Sequence, residues 1–513
     1  MPAFNRIWTS AYHDSVTLMR LARDIEAVPG VRRAAAMMGT PQNRALLAEA
    51  GLLAPEGDKA TPNDLVIAVV ADDASALDAA ENAARAALSA RPAGAPGGGA
   101  KARPRTLDSA LRLMPDATLA LISVPGAYAA AEAMKALRAG LHVMLFSDNV
   151  PLDAEIALKR FALERGLFLM GPDCGTAILD GVPLGFANAV ARGRIGIAAA
   201  SGTGVQEVAC LIAREGEGLS HAIGVGGRDL SDQVGGLMME RALEALAADP
   251  ATAVICVIGK PPGPAVARRL AARVRALGKP CVAHFMGEAA DAGAGAWHRA
   301  ATLEDAALAV VALARGQTPR AREFTAPAGE IEALVEGAAR RLAASQRFVR
   351  GVYAGGTLAY EAIGILSASL EDVGHAVTGA GAGHRVVDLG EDRFTVGRPH
   401  PMIDGSVRRE WIEREAADPS TAVLLLDVVL GYGAHPDPVA EIAPALARAH
   451  AGADAAGRGL AVVASVCGTD ADLQNRAGQV DALTALGALV MPSNAQAARL
   501  AALIATWAVR AVR

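Results

Sequence analysis

Aromatic side chains make up only 4% of this 513-residue chain, and no stretch interleaves them with clustered lysine and arginine. A chain without such stripes has little with which to neutralise phosphates and stack on bases, so nucleic acid is not an expected partner. Cysteine is also scarce. Cys174, Cys210, Cys256, Cys281 and Cys467 form no C-x-x-C pair, and the histidines show no paired ligand spacing, so no metal site is expected. No uncharged apolar run approaches the roughly 18 residues of a membrane span, and Arg6 and Asp14 flank a short mixed segment with no secretory core. The expectation is a soluble, cytoplasmic protein that uses no membrane.

What is abundant is small and aliphatic. Hydrophobic residues are 52% of the chain, and 54 glycines are about a tenth of it, above the usual roughly 7%. That profile suits α/β layers, in which helices pack closely on parallel strands and loops approach ligands. At roughly 150 residues per domain the length allows three or four domains.

Residues 1–90 read as a small α/β module, with a helix from Ser15 to Ala27 and strands at Val31–Met38 and Leu65–Val70. Residues 91–104, which include Arg91-Pro92-Ala93-Gly94 and Gly97-Gly98-Gly99, lack periodicity and mark a flexible linker. From 105 to 190, strands near Leu119, His142 and Leu167 alternate with helices, which predicts a Rossmann-like unit. It has no G-x-G-x-x-G after its first strand, so NAD is not implied. A further α/β domain is expected at 191–316, a linker at 317–344, and a last domain at 345–513.

The last domain repeats the one before it. Ala248-Asp249-Pro250-Ala251-Thr252-Ala253-Val254 returns as Ala417-Asp418-Pro419-Ser420-Thr421-Ala422-Val423, and Gly202-Thr203 with Glu207 returns as Gly356-Thr357 with Glu361. Two matches in the same order and the same strand-turn context argue for duplicated flavodoxin-like domains. Each copy carries a glycine loop that leads from a buried strand into a helix, a geometry that aims N–H groups and a positive helix end at an anion. The candidate phosphate or substrate ligands are Ser201, Gly202, Thr203 and Gly204 in the first copy and Gly355, Gly356 and Thr357 in the second. A second loop, Gly224, Gly226 and Gly227 with Arg228 and Asp229, adds a candidate carboxylate clamp. Asp173 and Cys174, in a glycine-flanked turn, are placed to close the site.

These residues carry a resemblance. The segments MGPDCGT (170–176), GRIGIAAASGTG (193–204) and AIGVGGRDLSDQ (222–233) resemble the α subunit of succinyl-CoA synthetase and its ADP-forming acyl-CoA synthetase relatives, and the whole resembles most the FdrA family. The N-terminal YHDSVTLMRLARDI (12–25) and the MGTPQN turn (38–43) extend that likeness to most of the chain, and the last domain resembles the C-terminal domain of the synthetase β subunit. The resemblance implies a CoA-binding-type unit at 105–190 and succinyl-CoA synthetase-like units after it. In the synthetases, phosphate passes through a histidine in an M-G-H-A-G motif. Here Met286-Gly287-Glu288-Ala289-Ala290 puts a glutamate in its place, and no ATP-grasp domain is found, so ATP would enter only through a separate subunit.

The FdrA resemblance implies a subunit of an oxamate carbamoyltransferase in purine and allantoin breakdown, acting on carbamoyl phosphate and a small amide or acid alongside other protein subunits. Ser201, Thr203 and Glu288 are then the candidate catalytic residues, Glu288 as a general base. CoA is the one cofactor left open. Two alternatives stand beside this reading: an ADP-forming acid–CoA ligase α-type subunit, and a regulatory subunit that binds CoA or phosphate without turnover. His284 and His298 are candidates to replace the missing histidine, and His384, His400 and His435 for proton transfer.

Overall fold

The computed structural model describes residues 2–11, 15–89, 104–287, 297–374, 383–395 and 399–510. It divides into two compact units, Met1–Arg105 with Glu391–His400, and Thr106–Gly390 with Pro401–Arg513. The linker expected at 91–104 lies, except for Pro104, outside the described residues, as does Glu288.

The first unit runs β1 (Ala3–Trp8), α1 (Ser15–Glu26), β2 (Val31–Met38), α2 (Pro41–Glu49), β3 (Leu65–Ala71) and α3 (Ala74–Ser89). Its sheet has the order β1-β3-β2 and is antiparallel throughout. The central strand β3 is buried over nearly its whole length, which is why it reads as an unbroken apolar run.

The second unit begins with α4 (Leu107–Leu113), β4 (Leu119–Ile122), α5 (Gly126–Arg138), β5 (His142–Leu145), α6 (Leu152–Glu164) and β6 (Leu169–Met170). These strands are parallel in the order β4-β5-β6, the alternation expected for a Rossmann-like unit. The next hairpin, β7 (Thr176–Leu179) and β8 (Val182–Gly185), pairs with the sheet that follows rather than with β6.

That sheet contains β9 (Arg192–Ala199), β10 (Leu219–Gly224), β11 (Val254–Gly259), β12 (Cys281–Phe285) and β13 (His298–Arg299), with α7 (Gly202–Arg214), α8 (Leu237–Ala248), α9 (Pro264–Ala276) and α10 (Leu303–Ala314) around it. Part of the stretch read as a linker, 317–344, is in fact α11 (Ala328–Ala339), which buries Ile331, Val335 and Ala339 at four-residue spacing. The last sheet holds β14 (Phe348–Tyr353), β15 (Val373–Gly374), β16 (His384–Asp388), β17 (Thr421–Val429), β18 (Ala461–Cys467) and β19 (Ala488–Met491). Its helices are α12 (Gly356–Ser367), α14 (Ser406–Ala417), α15 (Pro438–Ala455), α16 (Arg476–Ala485) and α17 (Asn494–Arg510), while the single turn α13 (Asp392–Thr395) falls in the segment that groups with the first unit.

The duplication is plain in the topology. The order β10-β9-β11-β12-β13 in one sheet is matched by β16-β14-β17-β18-β19 in the other, and with the two-residue edge strand β15 of the second copy left out both read 2-1-3-4-5. The fold is mixed α/β with a Rossmann-like unit and two flavodoxin-like repeats. The repeats share one apolar core, which takes in Ile197, Val205 and Leu303 from the first and Val349, Leu358, Leu425 and Leu500 from the second. That shared core presses α7 against α12.

Candidate functional site

In each repeat the first strand ends in a short turn that starts the first helix. Ser201 is extended at the head of α7, and its Oγ accepts from Gly204 N–H at 3.0 Å, the bond that stops the strand and caps the helix. A Cβ at Gly204 would sit 2.5 Å from Ser201 Oγ, so the cap requires a glycine there. The second repeat starts α12 at Gly355-Gly356-Thr357.

The two starts meet. Ser201 Oγ and Thr357 Oγ1 are 2.6 Å apart, and Thr357 N–H donates to Thr203 Oγ1 at 3.3 Å. Two helix N-termini, one per repeat, therefore converge on one place, and their partial positive charges add there. The duplicated loops thus meet at one place.

Beneath this site the repeats exchange carboxylates. Glu207 of α7 accepts from the Asn494 N–H that starts α17, at 3.0 Å, while Glu361 of α12 accepts from the Leu303 N–H that starts α10, at 2.7 Å. Each repeat's first helix caps the other repeat's last helix. Glu361 also accepts from Asn494 Nδ2 at 2.8 Å, and burial pushes its carboxyl up to about 7. Glu304, bonded to Ser493 and Gln496, is raised as well by burial.

The second glycine loop is built differently from the expectation. Gly226 has φ +89°, and a Cβ there would lie 2.5 Å from Pro172 O; one at Gly224 would lie 2.5 Å from Cys174 Sγ. Those glycines permit backbone to pack on the Gly171–Gly175 turn rather than forming an open cradle. Asp173 does come near, with Oδ2 3.5 Å from where a Gly227 Cβ would be. Cys174 is buried, its thiol faces Thr176 O and Gly224 O at 3.6 Å, and burial pushes it up to about 12, which fits a packing role rather than a reactive one.

Arg228 and Asp229 do not form the expected clamp. Arg228 pairs with Glu155 at 2.8 Å, and the fully buried Asp229 pairs with Lys159 at 2.7 Å and caps α8 through Met238 and Met239 N–H. Lys159 completes the chain with Glu155 at 2.8 Å and Val225 O at 3.0 Å. The network ties α6 to the loop after β10, with Lys159, Glu155 and Asp229 buried and Arg228 half-exposed. The proton-transfer histidines are likewise held in structure. His384 Nδ1 accepts from Val349 N–H at 3.1 Å, His435 Nδ1 accepts from Asp437 N–H at 3.0 Å, and His400 is pushed down to about 4 by burial. His284 is buried, with Nδ1 3.1 Å from Ala300 O, and His298 lies in β13.

Sequence reasoning passed over Asp427. It is fully buried and accepts from Ala354 N–H at 2.8 Å and Gly355 N–H at 2.7 Å, with Arg408 at 3.2 Å as counter-ion. The signal was an acid inside the otherwise apolar run Val423–Val429.

Compared with known proteins, the chain is 40% identical over 513 residues to the uncharacterized protein YahF of Escherichia coli K12, with 96% of each chain covered. The chain belongs to this FdrA-like family. Family models described as a CoA-ligase, a CoA binding domain and an AllF heavy metal-associated domain match residues 352–504, 191–287 and 1–104 of this FdrA-like chain, so the CoA-binding match falls on the first repeat and not on 105–190, where it was expected. Subunit alpha-2 of the ADP-forming succinate–CoA ligase of Trichomonas vaginalis is 33% identical over 35% of the chain and 59% of its own length. The ADP-forming sulfoacetate-CoA ligase subunit SauD of Bilophila wadsworthia is 30% identical over 34% and 62%. These ligase subunits are thus matched over about three-fifths of their lengths. A dinucleotide-forming acetyl-coenzyme A synthetase of Ca. Korarchaeum cryptofilum covers 77% of the chain and 84% of its own, at 16% identity and TM-score 0.32. The chain is related to the ADP-forming acyl-CoA synthetases.

The heavy-metal name does not fit the donors present. Residues 1–104 contain no cysteine and one histidine, His13, and among the described residues no group of three His, Cys, Asp or Glu is arranged to hold a metal. No described helix is long and apolar enough to cross a membrane.

Proposed function

We propose that this FdrA-like chain is a subunit that handles an acyl phosphate, transferring the carbamoyl group between carbamoyl phosphate and oxamate in purine and allantoin catabolism together with other protein subunits. The observation that supports it most is the convergence of the α7 and α12 N-termini, with Ser201 and Thr357 hydroxyls in contact. A phosphate dianion suits two added helix ends, and so does a phosphate that gains charge as it leaves.

In the forward direction the amide nitrogen of oxamate forms a bond to the carbamoyl carbon, the bond from that carbon to the phosphate oxygen breaks, and the nitrogen gives up a proton. Gly202 and Thr203 N–H in the first turn, with the Ser201 and Thr203 hydroxyls, hold the departing phosphate. Glu288 takes the proton, and Asp173 bounds the site on the side of Gly227. No phosphorylated residue is needed, which accords with the glutamate at 288 where a synthetase has histidine.

A second reading, an ADP-forming acid–CoA ligase α-type subunit, is favoured by the CoA binding and CoA-ligase family matches. In it CoA is the ligand and ATP enters through a partner. The test is to purify the chain with the proteins that accompany it and assay the complex on carbamoyl phosphate with oxamate, and on ATP, CoA and small acids. Turnover of the first pair, lost in Ser201→Ala/Thr203→Val, supports carbamoyl transfer. ADP formation dependent on CoA overturns it for the ligase, and phosphate binding without turnover of either set overturns both for a regulatory subunit.

A further inference from the structure

The parallel sheet β4-β5-β6 is open along β4. His142 N–H donates to Thr118 O at 2.8 Å and Phe146 N–H to Ile122 O at 2.9 Å, so the even-numbered residues of β4 bond to β5. Leu119 and Leu121 then turn their N–H and C=O groups outward, where no described strand pairs with them. An unpaired row of this kind is a template for another strand, and proteins blunt it with charge, proline or a bulge. Other edges of this chain are blunted: β8 carries Pro183, β1 Arg6, β2 Arg32 and Arg33, and β13 is His298-Arg299. The edge strand β4 is Leu119-Ala120-Leu121-Ile122 and has no such device.

The side chains around that edge are also uncovered. Of the nine exposed large apolar residues among those described, four lie between positions 113 and 128: Leu113 and Met114 at the end of α4, Leu121 in β4, and Tyr128 in the first turn of α5. Leu113 and Met114 are 64% and 65% exposed, and Leu121 is 49% exposed. Helix α4 buries no residue at all. Scattered apolar side chains on a surface need no explanation, but four on the three successive elements that border one open edge mark an interaction surface.

A second copy of this chain fits the edge. A doubly wound nucleotide fold joins two βαβαβ halves at their first strands, and residues 119–170 make one such half, with β4 as its first strand. The open edge is where another half continues the sheet, and a second copy brings the same half with the same bare edge. Copies related by a two-fold axis present one edge to itself, which pairs the strands antiparallel. With the axis at Ala120, Leu119 of each copy faces Leu121 of the other. Those residues exchange both backbone bonds, and the two leucine pairs lie on one face of the joined sheet. Asp116 of one copy then falls opposite Val124 of the other, beside the start of α5, which has no side-chain cap and is the positive end of its helix. Charges therefore match across the axis as the apolar residues do.

We infer that β4 is a self-association edge, through which two chains pair β4 to β4 antiparallel and build one six-stranded sheet in the order β6-β5-β4-β4-β5-β6. Leu113, Met114 and Tyr128 are the apolar residues that this junction covers.

The test is sedimentation of the purified full-length chain as the natural protein, Leu121→Lys, Asp116→Lys and Leu503→Lys, with hydrogen exchange at the Leu119 amide. Leu503 is an exposed apolar residue of α17 and serves as the control. The natural chain and Leu503→Lys should sediment at twice 52.2 kDa, and Leu121→Lys at 52.2 kDa. Asp116→Lys should weaken association by about tenfold, since the charge is reversed beside two helix starts. Dilution of the natural chain, which needs no substitution, should free the Leu119 amide in step with the loss of dimer. A natural chain that stays at 52.2 kDa at every concentration overturns the inference. So does a dimer that Leu121→Lys and Leu503→Lys weaken equally, or one whose dissociation leaves exchange at Leu119 unchanged.

Discussion

The crossed carboxylate caps make the sharpest prediction about how the two repeats are joined. Glu207 and Glu361 are both buried, and each oxygen that meets a helix start replaces a bond that the backbone N–H cannot make within its own helix. A bond of this kind to a charged group contributes about 1.5–3 kcal/mol, and removing it leaves a buried donor at a cost of ~1–3 kcal/mol. These are two views of one loss and do not add. Burial of the carboxylate opposes the gain, most visibly at Glu361, whose carboxyl is pushed up to about 7. The net expectation is ~2 kcal/mol less local stability for either Glu→Ala change, or about 30-fold faster amide exchange.

The location of the loss is what tests the reasoning. Hydrogen exchange followed by mass spectrometry on the full chain should show Glu207→Ala opening the start of α17, near Asn494, in the other repeat. Glu361→Ala should open the start of α10, near Leu303, again in the other repeat. An exposed residue, Glu332 on α11, supplies the control. If each change loosens only the helix that carries it, or matches Glu332→Ala, the crossed caps carry no energy and the account of the interface fails.

Other expectations follow from the same geometry. Burial, with Arg350 adding to it, pushes His384 down to about 4 from an ordinary 6.5, and its Nδ1 accepts from a backbone N–H, so the folded chain needs the neutral ring. The unfolded chain binds that proton first. Stability should therefore be full above pH 6.5 and fall by ~1–2 kcal/mol as pH drops toward 4, after allowance for the ring's partial exposure, and His384→Gln should flatten this step in denaturant midpoints. All five cysteines are buried, with Cys174 and Cys281 both pushed up to about 12, so a thiol reagent at pH 8 should label none of them in the native chain and all five after denaturation. Lys159→Met strands Glu155 and Asp229 without their shared cation and should cost ~3–5 kcal/mol, read as a lowered urea midpoint, with Lys159→Met/Asp229→Asn recovering part of it.

The layers of the fold were legible because strands buried on both faces leave unbroken apolar runs. Leu65–Val70 is such a run and extends by one residue to Ala71, Val31–Met38 falls where the letters put it, and the repeat visible at Gly202-Thr203 and Gly356-Thr357 is a matching strand order in both copies. Helix α11 was hidden because proline and polar residues before it look like a linker, although Ile331, Val335 and Ala339 keep a helical period. At the site, the duplication made two loops of one kind legible, but neither their contact nor their partners. Nothing in the string Arg228-Asp229 says that each side chain will be claimed by α6, some 70 residues earlier, and nothing local distinguishes a packing cysteine from a reactive one at 174. A short motif names the backbone shape; which charges face it depends on contacts from distant segments.

A duplicated fold supplies everything that comes from the backbone twice: two helix ends, two glycine turns, two crevices beside the first strand. Side chains near those turns are free to diverge, and here they diverge in charge. Asp427 accepts from the Ala354 and Gly355 N–H groups before α12 and Asp388 crowds Gly356, whereas the side chain facing Gly202 at the α7 start is the neutral Thr176. A duplicated pair of backbone turns thus carries different side chains on its two sides.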